Sequence, residues 1–438
     1  MSIKIALRAL LAFAGSTCAH AAPPSATQGA AVSQAMLDAV RELSGVPGMS
    51  AAVWRDDRVI WTGVSGWRDM ERNRPVTRDT RFRLASVSKL VTVTAAAKLA
   101  EESRLDLDAP VAAILPWLDN NWPTITARQL AAHTSGLPHY QAADANRGSA
   151  NYPTGRDAVN LFANRALLSN PGERYSYSSW GYTLLGALVE QAGGQPFTDY
   201  VARHVTPDVI ADATDSGDEH ASKAYDFADR AVQAAPPHDF SYTWGGGGLM
   251  ASAEGIVRFG GAMLANRIVS ADTFDAMTRP YTLASGRPAG EEDYTVGFGW
   301  RSALGSDGKP VTFHNGATLG ARSSLVLWRD ESVAASILSN ASWTSSIDST
   351  SQMLAAPFRP VPGGMTEAAC PVGTGQFEGT LADSAVAGDA EFHVADGICQ
   401  GVLQLSGDLL AYFDRGPQPT ARQLRVVGID ARGGLSRA

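Results

Sequence analysis

The sequence has little lysine, little cysteine and no long apolar run. Of its 36 basic residues only five are lysines, and no run of basic residues occurs. Because 44 acidic residues give a formal net charge of −8, neither nucleic acid nor an anionic membrane is expected as a partner. After the N-terminal segment no stretch reaches the roughly eighteen apolar residues of a membrane span. With 45% hydrophobic residues, the composition predicts a folded globular protein.

The three cysteines are Cys18, Cys370 and Cys399. Cys18 lies in a segment with a basic start, an apolar stretch and the small-residue pattern Ala19-His20-Ala21, which is typical of a cleaved export signal. We therefore expect residues 1–21 to be removed after Ala21, and the mature protein to be periplasmic or secreted. In such an oxidising compartment Cys370 and Cys399 can form a disulfide, with two buried free thiols as the alternative.

Strand patterns lie at both ends of a long helical and loop-rich middle region. A hairpin is predicted over Ser50–Trp54 and Val59–Val64. Short β-branched or aromatic segments return late in the chain, at Thr295–Arg301, Val311–His314, Ser323–Trp328 and Val333–Leu338. This order favours an α+β fold, in which one antiparallel sheet is completed by distant segments and flanked by helices. We predict a domain over residues 22–358 and a small β-rich module over residues 359–438.

Two of the lysines follow a serine by three positions. Ser306 and Lys309 lie in a Gly/Pro turn, where the two side chains need not share a face. Ser86 and Lys89 instead open the segment Leu90–Leu99, which is apolar nearly all round and so predicts a buried helix. At this spacing both side chains lie on one helical face.

A serine beside a buried lysine can be a nucleophile with its base. A desolvated lysine near a helix N-terminus has a lowered pKa and can take the proton of a serine hydroxyl. The backbone N–H of Ser86 can then donate to an oxyanion, since the first N–H groups of a helix have no partner within it. The alternative is structural, with Ser86 as a cap and Lys89 reaching the surface along its apolar stem.

The segment Phe82–Lys89 resembles the nucleophile segment of serine β-lactamases and penicillin-binding proteins, in particular their class C and esterase or D-peptidase-like branch. Four more segments, similar in order and spacing, extend the resemblance over about residues 45 to 340: Thr126–Gly136, Pro171–Tyr182, Gly246–Gly255 and His314–Ala317. The resemblance implies a β-lactamase/transpeptidase-like fold with a helical subdomain. It also implies an acyl-enzyme on Ser86, with no metal or organic cofactor.

The resemblance assigns a proton-transfer role to Tyr177. Tyr175 and Tyr182 are its rivals, because most tyrosines pack as aromatic residues with a satisfied hydroxyl. Ser179 stands where the branch has an asparagine, which both donates and accepts towards the substrate. We therefore expect an amide substrate to be held less firmly here.

By the same resemblance, His314, Gly316 and Ala317 form a strand that lines the cleft. Gly316 is expected to let the substrate backbone approach, and the N–H of Ala317 to be the second oxyanion donor. His314 stands where many β-lactamases have lysine and is mostly neutral at pH 7, so efficient β-lactam hydrolysis is not expected. The alternative for His314 is an ordinary strand histidine that makes one hydrogen bond.

These residues predict an exported serine hydrolase that acts on a small ester or a peptide, with a D-amino-acid peptide as one option. The pattern around Tyr177 is also similar to that of mitochondrial serine β-lactamase-like proteins. A penicillin-binding or acyl-recognising protein without turnover is the alternative, and a scaffold without chemistry is a third. No His-Glu-x-x-His or paired Cys-x-x-Cys motif occurs, so His133 and His139 are interpreted as structural, and no metal is expected.

Overall fold

The computed structural model describes residues 26–119, 122–212, 217–305, 308–344, 347–359, 372–381, 384–395, 398–404, 423–427 and 436–437. The first ten strands are β1 Gly48–Arg55, β2 Arg58–Asp69, β3 Arg74–Pro75, β4 Phe82–Arg83, β5 Ile210–Ala211, β6 Tyr225–Ala228, β7 Ala231–Ala234, β8 Leu249–Ala251, β9 Gly290–Glu291 and β10 Tyr294–Val296. The next four are β11 Arg301–Leu304, β12 Pro310–Thr318, β13 Ala321–Trp328 and β14 Val333–Ser339. The helices are α1 Ala26–Ser44, α2 Ser88–Glu101, α3 Val111–Ile114, α4 Ala127–Ala131, α5 Gly155–Val159, α6 Ser179–Gly193, α7 Phe197–His204, α8 Ala253–Leu264, α9 Ala271–Thr278 and α10 Ile347–Ala355.

Among the described residues, nine strands form one antiparallel sheet in the order β3-β2-β1-β14-β13-β12-β11-β10-β9. The predicted hairpin is confirmed, since β1 and β2 pair with Val53 opposite Trp61. On its other side β1 pairs with β14, with Met49 opposite Ser339. Segments almost 300 residues apart therefore meet at the centre of the sheet, as the strand patterns at both ends of the chain predict.

Helices cover both faces of the sheet because side chains of a strand alternate between two cores. Ala52 and Trp54 of β1 belong to the core shared with α8 and the helical middle region. Ala51 and Val53 face the opposite way, towards the core shared with α1 and α10. The predicted α+β class, an antiparallel sheet flanked by helices, is confirmed.

The helical middle region is built around α2 and α6, which pack against each other. Both helices are buried nearly all round, as their apolar sequences require. Helices α4, α5 and α7 pack around α6. This region faces the C-terminal end of β12, and the cleft described below lies between the two.

The late strands differ from the prediction at one place. The segment Thr295–Arg301 is not a single strand, because residues 297–300 separate β10 from β11. Gly299 has a φ of +84° there, and a side chain at this position would also contact Val93 and Tyr182. The turn explains the interruption, and it sets the position from which Arg301 begins β11.

A second antiparallel sheet contains β15 Gly373–Leu381, β16 Ser384–Ala395, β17 Ile398–Gln404, β18 Gln423–Val427 and β19 Ser436–Arg437. The predicted boundaries at residues 21 and 358 stay predictions. The export signal and Cys370 lie outside the described residues, as does the side chain of Cys399, so the disulfide also stays a prediction. Within the described ranges, no helix is long and apolar enough to cross a membrane.

Candidate active site

Ser86 lies at the point where a short strand turns into a buried helix. It belongs to a 3-10 turn over Ala85–Val87, which connects β4 to α2. Ala85 has a φ of +46°, an unusual backbone conformation for a residue with a side chain. Such strain is found where the surrounding structure holds a functional group in place. Ser86 itself precedes Ser88, the first residue of α2, by two positions, and its side chain lines a cleft.

Lys89 is completely buried in the first turn of α2. Its Nζ lies 3.2 Å from Ser86 Oγ and 3.0 Å from Ser179 Oγ, and it also donates to the carbonyl oxygen of Gly246. None of these three acceptors is a carboxylate, although a buried ammonium is costly without a counter-charge. The predicted pairing of Ser86 with Lys89 on one face is what the structure contains.

Tyr177 is the tyrosine that reaches the serine. Its O–H donates to Ser86 Oγ at 2.6 Å. Tyr175 instead pairs its hydroxyl with that of Tyr294, and Tyr182 donates to the carbonyl oxygen of Ala131. Of the three candidate tyrosines, Tyr177 is thus the one placed for proton transfer with Ser86.

The segment that carries Tyr177 is held by a buried histidine and by a helix cap. The Ser178 N–H donates to Nδ1 of His133, whose ring lies 4.3 Å from the Tyr177 ring. Ser178 Oγ caps α6 by accepting from the Gly181 N–H and donates to Pro138 O. His133 is thus a structural residue, as interpreted from the sequence, and it positions Tyr177.

The pKa values of Lys89 and Tyr177 are both lowered from their ordinary values. Burial lowers the pKa of Lys89 below its ordinary 10.5, and the Arg301 cation lowers it further, while Tyr177 opposes part of the shift. For Tyr177 burial alone would raise the pKa, but Lys89 and Arg301 outweigh burial and place the phenol pKa below 10.0. The lowered pKa of Lys89 favours the neutral amine that can accept the serine proton, and the lowered pKa of Tyr177 makes the phenol a better proton donor.

Both the side chain and the backbone of Ser179 form hydrogen bonds in the site. Its hydroxyl accepts from Lys89 Nζ, and its backbone N–H donates to Nδ1 of His139 at 3.1 Å. The ring of His139 stacks on Tyr140 with centroids 4.5 Å apart and meets Tyr177 edge-on at 5.4 Å. Burial, with the Lys89 and Arg147 cations, lowers the pKa of His139 to about 4. His139 is therefore a neutral part of the cleft wall near pH 7.

The third predicted segment lies in β12, beside the nucleophile turn. Ala317 lines the same cleft as Ser86, whereas His314 is only 1% exposed and lies beneath the cleft wall. Burial, followed by the Arg301 and Lys89 cations, lowers the pKa of His314 well below 6.5. The imidazole is therefore neutral near pH 7, and its Nδ1 lies 2.6 Å from the carbonyl oxygen of Asn315.

The structure gives Gly316 a reason different from the predicted one. A Cβ at this position would lie 2.4 Å from the carbonyl oxygen of Leu84 and 2.9 Å from the amide nitrogen of Ser86. The glycine thus allows β12 to pack directly against the backbone of the nucleophile turn. Ala317, the next residue of β12, lines the cleft together with Ser86.

Arg301 is the functional candidate that sequence reasoning missed. Its guanidinium lies 5.7 Å from the Tyr177 ring centroid and 4.3 Å from that of Tyr294, and it donates to Asn315 Oδ1 at 2.8 Å. Among the residues that the structure describes, no carboxylate forms an ion pair with it. The only available signal was one arginine after the glycine-rich segment Gly297–Trp300, which carries no motif.

The cleft has a volume of about 450 Å³. Besides Ser86 and Tyr177, its wall contains three aromatic residues and three charged residues: Tyr140, Phe240, Tyr242, Arg147, Arg301 and Glu291. In the described parts of the chain, no group of His, Cys, Asp and Glu side chains could hold a metal ion. The arrangement is a serine hydroxyl in contact with two proton-transfer groups, which is suited to acyl transfer, and the oxyanion role of the Ser86 and Ala317 N–H groups stays a prediction.

Comparison with known proteins agrees with this geometry. The family model described as Beta-lactamase matches residues 36–350 of the chain. The mitochondrial serine beta-lactamase-like protein LACTB of Homo sapiens is 25% identical over 305 residues, which are 53% of this chain and 56% of that protein. The chain thus spans little more than half the length of this relative.

Two solved structures show the same architecture. A D-stereospecific amidohydrolase from Streptomyces sp. has a TM-score of 0.60 and 26% identity, and the match covers 74% of this chain and 98% of that one. A class C beta lactamase from Rhodobacter sphaeroides has a TM-score of 0.59 and 20% identity, and covers 75% of this chain and 99% of its own. The predicted resemblance to class C relatives is confirmed.

Proposed function

The chain belongs to the beta-lactamase family of serine hydrolases, and we propose that it hydrolyses a small ester or a peptide through an acyl-enzyme on Ser86. The observation that carries the proposal is the contact of one serine oxygen with both proton-transfer groups. Ser86 Oγ lies 3.2 Å from Lys89 Nζ and 2.6 Å from Tyr177 Oη. A serine kept only as a helix cap would not need two titratable partners with lowered pKa values.

In the acylation step, Ser86 Oγ forms a bond to the substrate carbonyl carbon and gives its proton to Lys89, acting through Tyr177 or directly. The N–H groups of Ser86 and Ala317 stabilise the negative charge that develops on the carbonyl oxygen. The bond to the leaving group breaks as Tyr177 donates a proton to it. Lys89 restores the phenol proton, so the acyl-enzyme forms with no net gain or loss of protons.

In the deacylation step, a water molecule attacks the acyl carbon. The Lys89 and Tyr177 pair takes one proton of the water and returns a proton to Ser86 Oγ as the ester bond breaks. The products are the free serine and a carboxylic acid. The lowered pKa values of both groups suit this double use, because a lower pKa makes a protonated group give its proton back more readily.

Two observations bear on the substrate class. Ser179 stands where the branch has an asparagine, and its hydroxyl already accepts from Lys89, which favours an ester over an amide. His314 is buried and neutral, so it supplies no cation for the carboxylate of a penicillin. The likeness to a D-stereospecific amidohydrolase supports an amide with a D-residue as one substrate class.

The test is labelling with a serine-reactive fluorophosphonate, followed by burst kinetics on p-nitrophenyl esters. We expect the wild type and the control Ser306→Ala to be labelled and Ser86→Ala to remain unlabelled. A burst of one equivalent without turnover on every ester and peptide would favour the non-turnover alternative. Absence of labelling in the wild type would reject the acyl-enzyme altogether.

Export is a separate part of the proposal. It is supported by the basic start, the apolar stretch and the Ala19-His20-Ala21 pattern of the N-terminal segment. Expression with the native N-terminus in a bacterium with an outer membrane should place the protein in the periplasm, with Ala22 as its first residue. Cytoplasmic protein that keeps Met1 would contradict export and leave the chemistry of Ser86 unaffected.

A further inference from the structure

The two ends of the cleft carry different charged residues. At one end Arg301 lies beside Tyr177, and the negative charge of Glu291 contributes to raising the pKa of Arg301. At the other end Arg147 lies against Tyr140 and Tyr242. The proposed proton donor to the leaving group is Tyr177, so the Arg301 end faces the leaving group. The Arg147 end therefore faces the acyl group.

Arg147 is fixed in place by uncharged partners. Its Nε donates to Tyr242 Oη at 3.0 Å, and its Nη1 donates to the backbone oxygen of Asp144 at 2.9 Å. Its guanidinium carbon lies 4.4 Å above the Tyr140 ring. These contacts use two of the five N–H donors of an arginine. The side chain is thus oriented, and most of its donors are left for a ligand.

No carboxylate of the described residues forms an ion pair with Arg147. The nearest candidate, Asp144, accepts from Arg165 through both carboxylate oxygens. The positive charge of Arg147 also acts on its surroundings, since it contributes to the lowered pKa of His139 and of His238. Arg147 therefore contributes a positive charge to this part of the cleft, while Asp144 acts on His139 in the opposite direction.

Resting on the proposed hydrolase function, we infer that the substrate's acyl group carries a carboxylate and that Arg147 binds it. The substrate class is that of half-esters and half-amides of dicarboxylic acids, including acyl groups of acidic amino acids. The guanidinium offers the carboxylate paired N–H donors. Tyr140, Phe240 and Tyr242 form an aromatic wall for the methylene groups between the carboxylate and the reacting carbonyl.

The experiment compares two esters with the same leaving group, the p-nitrophenyl monoester of glutaric acid and p-nitrophenyl pentanoate. Their acyl chains have the same number of carbons and differ in the terminal carboxylate. Ser86→Ala supplies the rate of spontaneous hydrolysis. We expect wild-type kcat/KM to favour the glutaryl ester by about tenfold or more, mainly through a lower KM. Arg147→Gln should bring the ratio close to one, and Arg147→Lys should keep part of it.

The matched control is Arg203→Gln, which makes the same change at an arginine whose side chain is 67% exposed on α7. Its ratio should equal that of the wild type. Both esters are measured on one preparation, so a partly unfolded variant cannot change the ratio. A wild type without preference, or an Arg147→Gln variant that keeps it, would overturn the inference. If the wild type hydrolyses neither ester faster than Ser86→Ala does, the hydrolase proposal fails, and this inference fails with it.

Discussion

Lys89 and Lys309 each follow a serine by three positions, but they lie in opposite surroundings. Lys89 is fully buried and contacts two hydroxyls and a backbone carbonyl. Lys309 precedes β12, keeps 37% of its side chain exposed and forms an ion pair with Glu331 at 2.5 Å. The same sequence spacing thus yields a base in one region and, in the other, a partly exposed lysine in an ion pair with the buried side chain of Glu331. Burial without a counter-charge, rather than the spacing, makes a lysine reactive.

The largest effect that would test this comparison is expected from the two lysine variants. Lys89→Met should lower kcat by about 10³-fold or more, because it removes the proposed base while keeping an apolar stem in the core. Lys309→Met should leave kcat unchanged and lower the free energy of unfolding by about 1–3 kcal/mol, because the buried Glu331 side chain loses one of its charged partners but keeps Arg359. Steady-state ester hydrolysis measures kcat, and urea unfolding measures the free energy of unfolding. Equal losses of kcat in the two variants would contradict the comparison.

A smaller effect is expected from the phenol beside Lys89. Tyr177→Phe should lower kcat/KM by about 10²-fold on a methyl ester, whose alkoxide leaving group needs a proton. The loss should be smaller on a p-nitrophenyl ester, whose leaving group departs without one. Tyr175→Phe is the control, because its hydroxyl pairs with Tyr294. If both substrates lost the same factor, Tyr177 would not be the donor to the leaving group.

A shift of the pH profile is expected from Arg301. The active enzyme needs Lys89 neutral, so kcat/KM falls as the pH falls through the lowered Lys89 pKa. The Arg301 cation helps to lower the pKa of both Lys89 and Tyr177. Arg301→Met should therefore raise both pKa values and move the acid limb of the profile to higher pH. Lys309→Met should leave the limb in place, and an unmoved limb in Arg301→Met would exclude this electrostatic role.

The smallest effect is expected in the free energy of unfolding at acid pH, and it disappears near pH 7. Burial is the main cause that lowers the pKa of His133, His139 and His314, with that of His139 at about 4. The unfolded chain binds protons at these residues near the ordinary pKa of 6.5, whereas the folded chain does not. The free energy of unfolding should thus fall as the pH falls from about 6.5 towards 4. Urea unfolding across this range measures the slope.

The control for the acid effect compares two histidine variants. His139→Gln should have a shallower slope than the wild type, since it removes one group that titrates differently in the two states. His204→Gln replaces an exposed histidine at the end of α7 and should keep the slope. A slope unchanged by His139→Gln would show that its neutral state does not contribute to stability.

The parts of the fold and site that the sequence predicts are those with a local pattern. Ser86 and Lys89 are separated by one helical turn inside an apolar segment, so their contact follows from helix geometry. The hairpin of β1 and β2 follows from alternation around a polar turn. Tyr177 was assigned by resemblance, because nothing in its own segment distinguishes it from Tyr175.

The parts that sequence reasoning missed depend on contacts between distant segments. The Arg301 guanidinium contacts the Tyr177 ring because the turn at residues 297–300 sets where β11 begins in the sheet. The Ser179 hydroxyl accepts from Lys89 through the packing of α2 against α6. Arg147 reaches the cleft from a short 3-10 turn that has no distinguishing pattern. Such placements have no period or spacing that one sequence could reveal.

The pairing of β1 with β14 has a consequence for the order in which the protein can be assembled. Met49 lies opposite Ser339, and β12, which packs against the nucleophile turn, is separated from β1 by β14 and β13 in the same sheet. A ribosome-bound chain that ends before Val333 can form α2 with Ser86 and Lys89, but it lacks β14, the strand that joins the two halves of the sheet. Because contacts of such long sequence separation form late, reactivity should emerge only after β14 has been synthesised.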